Sequence, residues 1–118
     1  MRSVCQLTAG LRYYFYNAPV DMRKSFHGLE GLVVEQFGRY LIGDEVFVFL
    51  GKNGRTVKML HREGRGITLY TRKLDKGRFH APRILADGKS CQLDYTSFVL
   101  MMLGQKGRDE HYPVSCTQ

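Results

Sequence analysis

Between Gly51 and Arg83 the chain carries ten basic side chains (Lys52, Arg55, Lys58, Arg62, Arg65, Arg72, Lys73, Lys76, Arg78 and Arg83) against two acids, Glu63 and Asp75. The net charge of the whole chain is +7, so this segment holds essentially all of the excess and the remainder is close to neutral. Guanidinium and ammonium groups gathered in one stretch neutralise phosphates, and basicity confined to one surface points to a polyanionic partner, most often nucleic acid. The densest run is Arg72-Lys73-Leu74-Asp75-Lys76-Gly77-Arg78-Phe79, a basic turn of the kind that enters a groove or follows a phosphate backbone. The competing reading is a solvated basic face that serves solubility.

Other chemistry has less material. The four histidines (His27, His61, His80, His111) show no H-x-x-x-H or H-E-x-x-H spacing, so no local metal site is expected. Cys5, Cys91 and Cys116 are odd in number and contain no C-x-x-C, which argues against a disulfide framework or zinc knuckle and suits a reducing cytoplasm. No G-x-S-x-G nucleophile motif occurs, and the basic segment has few acids for a two-metal nuclease; the distant Asp21, Asp44 and Asp87 could converge in space, but nothing in the sequence requires it. Gly88-Lys89-Ser90 resembles the end of a phosphate-binding loop, but the first glycine of that pattern would fall on Arg83; Gly64-Arg65-Gly66 is turn chemistry without a following helix. The expectation is a protein without catalytic residues, cofactor or metal.

A second cluster, Asp21-Met22-Arg23-Lys24, combines a carboxylate with two cations where a helix is expected to open. Asp21 suits an N-cap, whereas Arg23 and Lys24 in a first turn oppose the helix dipole. Cations placed at that cost either bind a phosphate or an acidic protein partner, or Arg23 pairs with a nearby carboxylate.

These residues need elements to position them. With 118 residues, the chain is expected to form one domain with an ordered core at about 8–104 and a flexible polar tail at 105–118. No stretch approaches the ~20 apolar residues of a membrane span, and no secretory leader is evident. Leu11 to Tyr16 reads as a strand ended by Asn17-Ala18-Pro19. Met22, Phe26, Leu29, Val33 and Phe37 form one apolar stripe and predict a long amphipathic helix stopped by Gly38. Glu45–Leu50, Thr56–Arg62 and Ile67–Leu74 read as strands of a meander, with turns at 51–54, 63–66 and 75–77. Asp94 caps a short helix, Tyr95 to Leu103, closed by Gly104.

The fold class expected is therefore α+β: an antiparallel β-meander with one long helix packed on one face and a short C-terminal helix. Strand alternation assigns Val46, Val48, Leu50, Val57, Met59, Ile67 and Leu69 to the core under the long helix. The opposite face would carry Phe47, Phe49, Lys58, Leu60, Arg62, Thr68, Tyr70 and Arg72, a mixture of rings and cations suited to stacking bases and neutralising phosphates unless the second helix covers it.

At these residues the sequence resembles the TnpB-type, or Orf2-like, accessory protein of insertion-sequence-66 transposons. Asp21-Met22-Arg23-Lys24 with Phe26, Gly28 and Leu29 matches the family's D-M-R-K-x-F-x-G-L signature. Lys58, Leu60, Gly64, Gly66, Leu69, Arg72-Lys73-Leu74 and Gly77-Arg78-Phe79 follow its K-x-L…G-x-G…L…K-R-L-x-x-G-R-F pattern. Val46-Phe47-Val48-Phe49 and Gly51-Lys52-Asn53-Gly54-Arg55 bridge the two anchors, and the likeness runs from about Tyr13 to Phe79. His61-Arg62-Glu63 departs from the aromatic-aspartate pair that members often carry. The resemblance implies a helper encoded by a transposable element, acting beside a separate transposase. On the residues, Lys52, Arg55, Lys58, Arg72, Lys73, Lys76 and Arg78 would contact phosphates, Tyr70 or Phe79 would stack, and Asp21, Arg23 and Lys24 would meet a protein partner, the transposase or another accessory subunit.

Overall fold

The computed structural model describes residues 7–81 and 90–104, so Cys5, Arg83, the Gly88-Lys89 motif and the polar tail lie outside the described residues. Five strands form one sheet: β1 (Arg12–Val20), β2 (Glu45–Gly51), β3 (Thr56–Glu63), β4 (Gly66–Lys73) and β5 (Ser90–Leu93), in the spatial order β4-β3-β2-β1-β5. Helix α1 (Phe26–Leu32) continues as a π-helical turn, Val33–Phe37, and α2 spans Tyr95–Met102. The class is α+β, as expected, with two corrections. The sheet is mixed, because β1 pairs parallel to β2 while every other pairing is antiparallel. The first helix is short, beginning at Phe26 and changing pitch at Val33.

Both corrections have local causes. Parallel neighbours cannot be joined by a hairpin and need a crossover of a dozen residues or more, which the segment between Val20 and Glu45 supplies. Asp21 is not the N-cap: its carboxylate accepts the Arg23 backbone N–H at 2.9 Å and its carbonyl accepts that of Lys24 at 3.0 Å, a turn that delays the helix to Ser25. Gly38, at φ 71°, stops the helical segment as expected. Asp94 caps α2 by accepting the Ser97 N–H at 2.9 Å.

Both faces of β1, β2 and β3 are largely buried while β4 is half-buried to exposed, and the helix over each face of β2 is the reverse of the sequence expectation. Tyr13, Phe15, Val46, Val48, Val57 and Met59 lie under α2, whose Phe98 and Met101 join them together with Phe79. Tyr14, Tyr16, Phe47, Phe49 and Leu60 lie under α1, whose Leu29 and Val33 are fully buried. Phe98 of α2 stacks on Tyr13 at 4.0 Å, whereas Phe37, at the end of the π-helical turn that continues α1, meets Tyr14 and Phe47 edge-on at 6.2 and 4.7 Å. Ile67 and Leu69 do pack under α1, as expected, but beside Phe47, Phe49 and Leu60 instead of beside Val46, Val48, Val57 and Met59. The cause is register: the β3–β4 loop is only Gly64-Arg65, so Leu60 faces Leu69 and Met59 faces Tyr70, and a shift of one residue inverts a whole strand. No face carrying Phe47 and Phe49 is open to a ligand; both rings are fully buried.

The end of the sheet where β2 begins is fastened by two carboxylates. Glu45, 2% exposed, accepts Arg39 Nε at 3.3 Å and Nη2 at 3.0 Å, with Arg12 at 3.6 Å. The Arg39 guanidinium also lies 4.6 Å from the Tyr14 ring centre. Glu63 accepts the Thr68 and Tyr70 hydroxyls at 2.5 and 2.6 Å and lies 3.1 Å from His61 Nδ1. Burial pushes the Glu63 carboxyl upward, but the hydrogen bonds from Thr68, Tyr70 and His61 outweigh it and hold the group below the usual carboxylate range.

Two outcomes follow for stability. Leu29→Ala, which empties a fully buried site, is expected to cost about 2–5 kcal/mol in urea denaturation. Phe26→Ala, at a position 42% exposed although on the same sequence stripe, is expected to cost less than about 1 kcal/mol. Glu63 ionises more readily folded than unfolded. Its contribution is present above the ordinary Glu value of about 4.3 and is lost as the pH falls through its lowered folded value. Glu63→Gln is therefore expected to flatten the acid limb of a stability–pH profile between about pH 5 and 3.

Candidate nucleic-acid interface

Strand direction decides where the cations gather. Because β1 and β2 run parallel, Val20 lies beside Gly51, and the segments that leave them, 21–24 and 52–55, emerge at one end of the sheet. β3 starts at that end and β4 returns to it, Thr56 facing Lys73. The following chain then folds back over the β2–β3 turn: Leu74 N–H donates to Arg55 O at 2.9 Å and Phe79 N–H to Gly54 O at 2.7 Å. Nine cations (Arg23, Lys24, Lys52, Arg55, Lys58, Arg72, Lys73, Lys76, Arg78) and two acids, Asp21 and Asp75, thus share one end. The opposite end is balanced among the described residues, with Arg12, Arg39, Arg62 and Arg65 against Asp44, Glu45, Glu63 and Asp94.

The seven cations singled out for phosphate contact all lie at the basic end. Lys52, Arg55, Lys73, Lys76 and Arg78 are exposed. Lys58, half-buried, donates from Nζ to the Lys24 carbonyl at 2.8 Å, tying the two basic clusters together. Arg72 donates from Nε to the Met102 carbonyl at 2.8 Å, at the C-terminus of α2, where the helix dipole favours a cation. None of the seven forms an ion pair with a described carboxylate. Arg62 and Arg65, also in the basic segment of the sequence, sit at the far end.

The rings are placed differently from the expectation. Tyr70 packs against the α2-side core with its hydroxyl on Glu63, and Phe79 is 4% exposed in the same core. Phe79 closes the bottom of a cleft of about 410 Å³ whose rim carries Lys52 and Arg78. A second, adjoining depression of about 480 Å³ is bounded by Asp21, Arg23 and Lys52.

Asp21 and Arg23 are joined side by side: the Arg23 guanidinium donates to both carboxylate oxygens, with its shortest contact 2.7 Å. The side-chain hydrogen bonds from Arg23, then that from its backbone N–H, lower the Asp21 pKa to about 2. Of the readings open for Arg23, pairing with a carboxylate is the one the geometry contains. Sequence reasoning treated 21–24 and 52–78 as separate surfaces; the structure makes them neighbours. The signal that could have joined them is the strand-helix-strand order, which implies parallel strands whose ends coincide.

Comparison with known proteins places these elements in a family. The family model described as "IS66 Orf2 like protein" matches residues 11–111. An uncharacterized protein, y4jC, of Sinorhizobium fredii (strain NBRC 101917 / NGR234) is 31% identical over 99 residues, covering 80% of each chain. Another from the same organism, y4hO, is 33% identical over 72 residues, which cover 61% of this chain and 63% of that protein, less than two thirds of its length. No solved structure matches. Among the described residues, no helix is long and apolar enough to cross a membrane.

The Asp21–Arg23 pair is open to measurement. An NMR titration is expected to place the Asp21 carboxyl midpoint near 2, and Arg23→Ala to return it toward the ordinary value of about 3.9.

Proposed function

Because the chain belongs to the IS66 Orf2-like family, we propose that it is a non-enzymatic accessory protein of insertion-sequence transposition that holds DNA against the basic end of its sheet. The observation that carries this reading is the convergence of nine cations on one end, eight of them without a described carboxylate partner. Mutual repulsion of unpaired cations opposes folding, and a polyanion relieves it. Lys52, Arg55, Lys73, Lys76 and Arg78 contact phosphates directly; Lys58 and Arg72, each anchored on a backbone carbonyl, add fixed positive charge behind them. Phosphate contacts of this kind position a nucleic acid without reading its sequence. Phe79, beneath the surface, shapes the cleft, and Tyr70 is structural.

The second reading is a protein-interaction module that docks on the transposase or another accessory subunit through Asp21, Arg23 and Lys24. The exposed Asp21–Arg23 pair favours it, since it offers both signs of charge to an acidic or mixed protein surface.

Charge reversal separates the two. The double variant Lys73→Glu/Arg78→Glu is expected to lower DNA affinity at least about tenfold in an anisotropy titration and to leave transposase pull-down intact. Arg65→Glu lies at the opposite end of the eight-residue strands, about 23 Å away and more than two Debye lengths at physiological salt, and is expected to change affinity by about twofold or less. DNA retention unaffected by the double variant, with pull-down lost, overturns the DNA reading in favour of protein docking.

A further inference from the structure

The cleft at the basic end has the chemistry of a site for one unpaired nucleotide. Phe15 and Phe79 close its bottom, and Leu50, Ala18, Pro19 and Ala81 provide apolar walls. Lys52 and Arg78 stand at its rim. A volume of about 410 Å³ lies within the range of about 300–1,000 Å³ usual for small-molecule sites. The rim is built rather than incidental. Gly54, at φ 74°, has no side chain, and a Cβ there would stand 2.7 Å from Arg78 Nε, so the glycine leaves the path along which the guanidinium crosses the β2–β3 turn. The Phe79 N–H bond to Gly54 O, 2.7 Å, fixes the backbone next to it. Arg78 has no described carboxylate partner.

We propose that this cleft receives an unpaired nucleobase, its flat face against the apolar walls and its phosphate between Lys52 and Arg78. The inference rests on the DNA reading above and deepens it, from DNA in general to DNA with an unpaired end or single-stranded segment. An intact duplex shows its bases only edge-on in the grooves and keeps their flat faces stacked, whereas an extruded or overhanging base can be held between apolar side chains. The two parts of the site match the two parts of the ligand: apolar walls for the base, cations at the mouth for the phosphate.

The test compares a blunt 20-base-pair duplex with the same duplex bearing a single-stranded overhang, both fluorescently labelled, by anisotropy at one salt concentration. The wild-type protein is expected to prefer the overhang about tenfold, the factor given by roughly 1.4 kcal/mol. Ala81→Leu narrows the cleft from an exposed position and is expected to abolish that preference while leaving blunt-duplex affinity unchanged. Methyl NMR of the wild-type protein gives a second measurement independent of any variant. Leu50 and Ala18 resonances are expected to shift with the overhang substrate and not with the blunt one. Equal affinity for the two substrates, or a preference that survives Ala81→Leu with unshifted Leu50 and Ala18 methyls, overturns the cleft assignment while the basic end still binds DNA. Failure to bind either substrate at low salt overturns the DNA reading itself.

Discussion

The parallel pairing of β1 with β2 is the constraint from which the molecule's polarity follows. Two parallel strands deliver their C-terminal ends to the same place, so the segments that follow them, Asp21-Met22-Arg23-Lys24 and Lys52-Asn53-Gly54-Arg55, meet although they are far apart in the chain. Had β1 paired antiparallel, the first segment would emerge at the opposite end, beside Glu45 and Glu63, and the two basic clusters would not meet. The antiparallel returns of β3 and β4 then bring Lys58, Arg72 and Lys73 back to that end, and the bond from Phe79 N–H to Gly54 O folds Lys76 and Arg78 over it.

The second constraint is that both sheet faces are occupied. α1 and α2 cover opposite sides of the central strands, so Phe47 and Phe49 are closed to a ligand, and the exposed stretch of β4, Thr71 to Lys73, belongs to the basic end. What remains accessible is the rim, and the rim is divided electrically. At the far end each buried carboxylate is satisfied: Glu45 by Arg39 and Arg12, Glu63 by Thr68, Tyr70 and His61. That end gains hydrogen bonds and fixes the loop before β2 through the His61 Nε2 contact with Gly43 O at 2.8 Å. The near end accumulates charge of which the fold engages only Arg23, Lys58 and Arg72 in described side-chain bonds. Such separation gives the molecule a dipole that turns the basic end toward an approaching polyanion before contact.

Much of this was legible in the sequence, and what was missed has identifiable physical causes. The meander strands, the stops at Gly38 and Gly104 and the cap at Asp94 were readable because glycine geometry and capping are local. The clustering of cations was readable as composition, but its division into a near end and a far end was not, since Arg62 and Arg65 differ from Arg72 and Lys73 only by position along a strand. The stripe predicts too long a helix because Met22 matches it by spacing, while the Asp21 turn, a side-chain-to-backbone bond, overrides periodicity until Ser25. Asn17-Ala18-Pro19 was read as a turn; β1 instead continues to Val20 with its register broken between Tyr16 and Val20. Which helix covers which face is decided by packing across the whole sheet, a global condition that alternation in single strands does not contain.

The central claim, that the basic end exchanges its counterions for phosphates, is tested most directly by the salt dependence of DNA binding. Each phosphate neutralised adds about −0.9 to the slope of log K against log salt on duplex and about −0.7 on single strands. Engagement of the five exposed cations that contact phosphates predicts a slope between roughly −3.5 and −4.5 for the wild-type protein. A slope near zero, with affinity unchanged across the salt range, would contradict the account.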